Sequence, residues 1–239
     1  MIKIENTEVL GWEAAIRGMR NPMNSWAKSD TFFFRGTYIQ DGKLMSDYVN
    51  GKGEYPQDSN LTGPVIIGAA DHKLMMNLAK SGSTHAKYRR MIVVYADILA
   101  PLYWWKEFDT YRMGVEKNSC STMHKIQAKE FTLEDFSCEH LSGIDIGQGV
   151  GNPMQELKNT IRMLNECRNL FLQTNDKAYW WQLIQLLPSS YNQKRTVMMS
   201  YEALSSMYRD RKDHKLDEWR EFCAWVKNLP YSEIITLEE

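Results

Sequence analysis

The chain has 239 residues, 43% of them hydrophobic, and its 29 basic and 30 acidic residues leave a formal charge of -1. A protein that coats DNA or RNA by neutralising many phosphates needs a basic excess, so that class is disfavoured and only a local basic pocket for one or two phosphates stays open. Cys120, Cys138, Cys167 and Cys223 form no CxxC pair, MIKIENTEVLGWEAAIRG lacks an apolar signal segment, and no apolar run is long enough to span a bilayer. The expectation is a soluble, cytoplasmic protein with reduced thiols.

In chain order, Trp12 to Met19 suggests a helix, and the aromatic and β-branched stretch Thr31 to Ile39 a strand. Residues 41–64 are rich in Gly, Asp, Asn, Ser and Pro, with GKGEYPQDSN the clearest loop, and are expected to form a long surface loop. Leu74, Met75 and Leu78 mark a helix from Asp71 to Lys80, ended by Ser81-Gly82-Ser83. Met91 to Ile98 suits a buried strand, though periodicity in so short an apolar run does not exclude a helix; Pro101 opens a helical turn through LYWWKEF, and Asp109 to Ser121 and Lys129 to Gly151 are expected to be loops. The C-terminal third is expected to be mainly helical. Leu157, Ile161, Leu164, Cys167 and Phe171 form one apolar stripe; Lys177 to Leu187, stopped by Pro188, a second helix. Tyr201, Leu204, Met207 and Tyr208 line a third, and Leu216, Trp219, Phe222, Val226 and Leu229 a fourth before Pro230. With no internal repeat or heptad run, and a length one core can fill, a single domain over residues 1–239 is expected.

Common catalytic signatures are absent: no GxSxG elbow, no GxxxxGK[ST] loop, no GxGxxG after a strand and no HExxH. His72, His85, His124, His140 and His214 never pair at metal-ligand spacing, so no metal site is expected. The stretch KEFDTYRMGVEKNSCSTMHK is the densest in functional groups, with Lys106, Glu107, Asp109, Tyr111, Arg112, Asn118, Ser119, Ser121 and His124 within twenty residues. It suits a polar or anionic ligand; the plainer reading is a solvated turn that satisfies its own backbone. A second cluster, Arg209, Arg211, Lys212 and His214, suits an anion or simply the carbonyl end of a helix. The doublets Trp104-Trp105 and Trp180-Trp181 indicate a thick core, a subunit interface or a platform for a flat ligand.

Spacing between clusters points further. Gly82-Ser-Thr-His85 is followed after 25 residues by Thr110-Tyr111-Arg112, then Asn118-Ser-Cys-Ser121, Leu187-Pro188, a helix and Arg211. From about Leu74 to Trp225 this resembles the flavin-dependent thymidylate synthases, the ThyX family, with their pocket histidine, their Arg-His-Arg motif followed by seven residues and a serine, and a Leu-Pro step before a helix with an arginine. The resemblance implies an α+β fold, a twisted and mostly antiparallel sheet packed with several helices. It implies an FAD-dependent enzyme that reductively methylates dUMP to dTMP with methylenetetrahydrofolate and NADPH, working as a homotetramer that binds no nucleic-acid polymer and no membrane. It places Arg211 and Ser121 as catalytic residues and His85, Glu107, Arg112, Ser119, Ser121 and Arg211 around the nucleotide. Around the flavin it places His85, Arg112, Asn118, Ser200 and Ser206.

The sequence also departs from the family pattern. Thr110 and Tyr111 replace the first arginine and the histidine of the motif, and the loop between Arg112 and Ser121 is one residue longer. Ser119 and Met123 stand in place of a glutamate and an arginine, and Ile184 near another arginine position. Lys106, Lys117, Lys125 and Arg195 are candidate replacement charges. Two other readings stay open: a relative that binds a nucleotide or flavin without making dTMP or acts on another pyrimidine, and a plain interaction protein.

Overall fold

The computed structural model describes residues 2–40, 43–50, 52–56, 63, 65–147, 149 and 151–238. The fold is α+β with antiparallel sheets. Its elements begin with β1 (Lys3–Leu10), α1 (Trp12–Arg20), β2 (Phe32–Gln40), β3 (Lys43–Asn50), β4 (Val65–Ile66), α2 (Ala69–Lys80), β5 (Val93–Pro101), α3 (Leu102–Phe108) and β6 (Val115–Ser119). They continue with α4 (Pro153–Thr174), α5 (Lys177–Leu186), β7 (Asn192–Ser200), α6 (Tyr201–Arg211), α7 (Asp217–Lys227) and α8 (Glu233–Thr236). The chain divides into two compact units: Met1–Thr7, Tyr95–Met198 and Lys212–Cys223 form the first, and Glu8–Val94, Met199–Arg211 and Ala224–Glu239 the second.

The first unit holds most of a four-stranded sheet in the order β1-β5-β7-β6. β5 shows why it is central: Val94, Ala96, Ile98 and Ala100 alternate into the core while Tyr95, Asp97 and Leu99 face the other side. The strand ends at Pro101, and α3 follows with Trp104, Trp105 and Phe108 fully buried. These rings pack against Trp219 and Phe222 of α7; Trp104 lies 4.8 Å from both Trp105 and Trp219. The Trp104-Trp105 doublet is therefore core, and truncating one such ring to Ala costs roughly 3–5 kcal/mol. Trp181 of the second doublet is 45% exposed.

A second core lies under α4. Asn152 caps that helix by accepting from the Gln155 N–H at 2.8 Å, with Pro153 in its first turn. Its stripe Leu157, Ile161, Leu164 and Cys167 is buried with Ile126, Phe131, Phe136 and Leu183. Asn175 ends it in the left-handed region (φ 53). Asp176 then opens α5 by accepting from the Ala178 N–H at 2.8 Å.

The second unit is built on a three-stranded antiparallel sheet, order β3-β2-β4, with Phe32 opposite Asn50 and a bulge between Phe34 and Gly36. α1 enters it at Gly11, whose φ of 93 excludes an ordinary side chain and whose Cβ position is filled by the Met91 carbonyl. Trp12 then packs edge-on against Tyr201 and Tyr231 at 5.4 and 5.5 Å. α6 buries Tyr201, Leu204, Met207 and Tyr208, the stripe its sequence predicts.

Three segments differ from expectation. Of the stretch 41–64, Lys43–Asn50 is strand β3 rather than loop, held by its ladder to β2. Residues 41, 42, 51, 57–62 and 64 lie outside the described residues, and with them half of GKGEYPQDSN. Within the expected loop Asp109 to Ser121, Val115–Ser119 forms β6, a polar edge strand with only Val115 buried, a composition that edges tolerate. β7 interrupts the helical C-terminal third, where NQKRTVMMS has no helical stripe.

Candidate functional site

In the first unit the dense polar stretch runs from the end of α3 through β6, and long-range bonds have already claimed several of its charges. Asp109 accepts from Arg195 at 2.8 Å and pairs with Lys117 at 2.6 Å. Arg195 also donates through Nε to Gln193 Oε1 at 3.0 Å, and its guanidinium lies 4.3 Å from the Trp105 ring centre. Gln193 ties this group to the chain: its carbonyl accepts from Trp105 Nε1 at 2.9 Å and its amide donates to the Cys120 carbonyl at 2.6 Å. Arg195 is thus a strut between α3 and β7. Neither it nor Lys117 is spare for a phosphate.

The two residues that replace the family's Arg-His pair are also turned to local packing. Thr110 donates its hydroxyl to the Glu107 carbonyl at 2.7 Å, and the Tyr111 ring meets Trp219 edge-on at 6.1 Å. The Glu107 carboxylate accepts from Trp219 Nε1 at 3.1 Å and lies 3.4 Å from His214 Nε2. Ser121 accepts the His124 N–H at 3.0 Å, closing a short turn, and its hydroxyl proton remains able to donate. Lys106, Arg112, Asn118, Ser119 and Lys125 are exposed and make no side-chain hydrogen bond or ion pair among the described residues. Asn118 borders an open cavity of about 250 Å³ with Tyr95, Thr196 and Met198.

In the second unit His85 is exposed in a turn whose backbone N–H donates to the Gly82 carbonyl at 3.0 Å. Ser200 is buried and accepts the Ala203 N–H at 3.2 Å, so it caps the start of α6; Ser206 donates back to the Glu202 carbonyl at 3.4 Å. Arg211 is the last residue of α6 and half-exposed, with Arg209 in the same final turn. The nominated residues therefore fall in two sets, Glu107, Arg112, Asn118, Ser119 and Ser121 in the first unit and His85, Ser200, Ser206 and Arg211 in the second.

Three charged networks escaped the sequence reading. Thr196, Asn6 and Lys194 hydrogen-bond to Asp97 and hold its carboxyl down at about 2, so it stays ionised and cannot serve as a general acid near neutrality. Arg89 is buried against Glu202 at 2.6 Å and donates to Ser205 and to the Ile234 carbonyl, each at 3.1 Å. Asp71 is fully buried and accepts from Arg20 (2.6 Å), Ser29 (2.7 Å), Thr31 (2.7 Å) and the Asp30 N–H (3.1 Å). Its partners stand 40 to 51 positions away, and no local motif announces them. Among the described residues, no three His, Cys, Asp or Glu side chains converge as a metal site, and no helix is long and apolar enough to cross a membrane.

No family model matches the chain, and no curated protein is similar to it. Solved structures are similar in fold. The flavin-dependent thymidylate synthase ThyX from Helicobacter pylori, complexed with FAD and dUMP, superposes with a TM-score of 0.60 over 99% of this chain and 98% of that one, at 13% identity. The UMP/dUMP methylase PolB from Streptomyces cacaoi, bound with 5-Br UMP, superposes with a TM-score of 0.57 over 99% and 95%, at 14% identity. The chain therefore has a ThyX-like fold.

Proposed function

We propose that this chain, with its ThyX-like fold, is a flavin-dependent pyrimidine nucleotide methylase that converts dUMP to dTMP and acts as one domain over residues 1–239. The observation that carries the proposal is the likeness to a ThyX structure holding FAD and dUMP, which covers nearly all of both chains. Fold alone does not fix a reaction, so the spacing of His85, Arg112, Ser121 and Arg211 is the second support. Methylenetetrahydrofolate provides the carbon and NADPH the electrons. When bound and reduced by NADPH, the flavin would supply the hydride that completes the methyl group.

The donor set suits such a cofactor in part. Arg112, Lys106, Lys125 and the Asn118 amide are exposed donors within the polar stretch of the first unit, the chemistry a diphosphate needs. Arg211 places its charge on the uracil carbonyl where negative charge develops, the electrostatic effect that commonly dominates such steps. Ser121 donates its remaining hydroxyl proton to the nucleotide, and Glu107, Ser119 and His85 complete the contacts to it. His85, Ser200 and Ser206 are assigned to the flavin with Arg112 and Asn118. The protein works in the cytoplasm as a homotetramer.

A second reading has its own support: Thr110 and Tyr111 supply no cation and are engaged locally, and one structural neighbour is a UMP/dUMP methylase. In it the chain binds a pyrimidine nucleotide without making dTMP, or methylates a different one. The absorption spectrum of the purified protein, before and after FAD is added, tests what the two readings share. A bound flavin band is expected; colourless protein that takes up no FAD removes the flavoenzyme proposal. Assays with dUMP and UMP side by side then separate the two readings.

A further inference from the structure

In the second unit α1 and β2 border another cavity, of about 340 Å³, lined by Ile16, Arg17, Arg20, Trp26, Phe33 and Lys52 among others. None of the residues assigned above to nucleotide or flavin lines it. Arg20 is only 4% exposed, and its guanidinium is fixed on two sides. Nε donates to Asp71 at 2.6 Å and Nη1 to the Ser25 carbonyl and hydroxyl at 3.2 and 3.3 Å, whereas Nη2 has no partner among the described residues. A buried guanidinium with one edge unused is a preorganised anion donor. Arg17, one helical turn earlier, and Lys52 are exposed and make no ion pair among the described residues. Glu13, the one acid of the lining among the described residues, is matched by Arg35 through two bonds of 3.0 and 3.2 Å. Among the described residues the remaining charge of the lining is positive.

Its other wall is apolar and aromatic. Trp26 is half exposed, yet its indole is held by a 2.7 Å hydrogen bond to Asn21 Oδ1, and Phe33 and Ile16 lie nearby on the lining. An exposed ring kept in place beside unpaired cations is an arrangement for stacking a flat group. We propose that this cavity binds a small anion carrying a single flat ring system. The ring lies against Trp26 and Phe33, and the carboxylate or phosphate meets Arg20 Nη2, Arg17 and Lys52. The volume falls at the small end of the range for ligand sites, which suits one ring system and its head group.

The test is calorimetric titration of the full chain, in excess dUMP to occupy any nucleotide site, with 1-naphthyl phosphate and 1-naphthoate. Inorganic phosphate and 1-naphthol serve as the separate halves. Binding of at least one joined probe, tighter than either half, is expected, and the better head group identifies the anion. Arg17→Ala and Trp26→Ala each change an exposed side chain and should keep the wild-type circular dichroism spectrum and FAD uptake while weakening that probe about tenfold. No binding of either joined probe at millimolar concentration overturns the proposal. So does binding by both variants within about twofold of wild type, or phosphate alone binding as tightly as the joined probe.

Discussion

Replacing Arg195 with Ala separates a structural arginine from a ligand-binding one. Three contacts disappear: the 2.8 Å bond to Asp109, the 3.0 Å bond to Gln193 and the stack 4.3 Å from the Trp105 ring. A hydrogen bond to a charged partner contributes about 1.5–3 kcal/mol, and a cation over an aromatic face about 0.5–2 kcal/mol. Asp109 is not stranded, because Lys117 still pairs with it at 2.6 Å. Because contacts within one network do not add, the expected loss is below their sum, about 2–4 kcal/mol. Arg195→Lys keeps the charge but not the planar fork, and should recover less than half of that loss. Urea unfolding followed by tryptophan fluorescence gives the stability, and FAD titration of the folded variant gives the affinity. An Arg195→Ala protein within about 0.5 kcal/mol of wild type, but with flavin affinity reduced more than tenfold, would refute the reasoning and return Arg195 to the phosphate-binding set.

Other substitutions test other parts of the account. Asp71→Asn removes the charge that balances buried Arg20, so chemical unfolding should show a loss of about 3–5 kcal/mol. Burial alone pushes the Asp71 carboxyl up, but hydrogen bonds from Ser29, Thr31 and Arg20 outweigh it and hold the carboxyl below its ordinary value. A lowered carboxylate stabilises above its unfolded value of about 4 and stops doing so as pH falls past the folded one. The gap between wild type and Asp71→Asn should accordingly narrow as pH falls below about 4, as pH-dependent unfolding curves would record. Gly11→Ala forces a side chain into the left-handed region against the Met91 carbonyl and should cost at least about 1–2 kcal/mol, read as a lower Tm. Trp219→Phe removes the Nε1 donor to Glu107 and part of a packed ring, and should lower stability by roughly 1–3 kcal/mol in the same assay.

How much of this was legible in the sequence depended on whether the cause was local. The stripe Leu157, Ile161, Leu164 and Cys167 marked α4, and Tyr201, Leu204 and Met207 marked α6, because a helix buries one face at steps of three and four. The apolar run Met91 to Ile98 suggested β5 by composition alone, and the alternation of Val94, Ala96 and Ile98 into the core emerges only in the structure. β6 and β7 were not visible, since VEKNS is polar and NQKRTVMMS mixed, and their state follows from the strands beside them. The polar stretch from Lys106 to Lys125 was visible as a concentration of groups. Which of its charges were already engaged was not: Asp109 meets Arg195 across 86 positions. The plainer reading of a self-satisfied turn thus covers only the bond that Ser121 accepts from His124, Asp109 is held by Arg195 and Lys117, and Lys106, Arg112, Asn118, Ser119 and Lys125 keep side chains with no bond among the described residues.

The central claim is that this chain methylates a pyrimidine nucleotide using a flavin. Purified protein with FAD, NADPH, methylenetetrahydrofolate and dUMP, analysed by mass spectrometry for dTMP, tests it most directly. The account predicts dTMP from the wild type and at least a hundredfold less from a folded Arg211→Ala variant, the scale on which a lost charge-stabilising group acts. If neither dUMP nor UMP gains a methyl group and the protein takes up no FAD, the account is wrong.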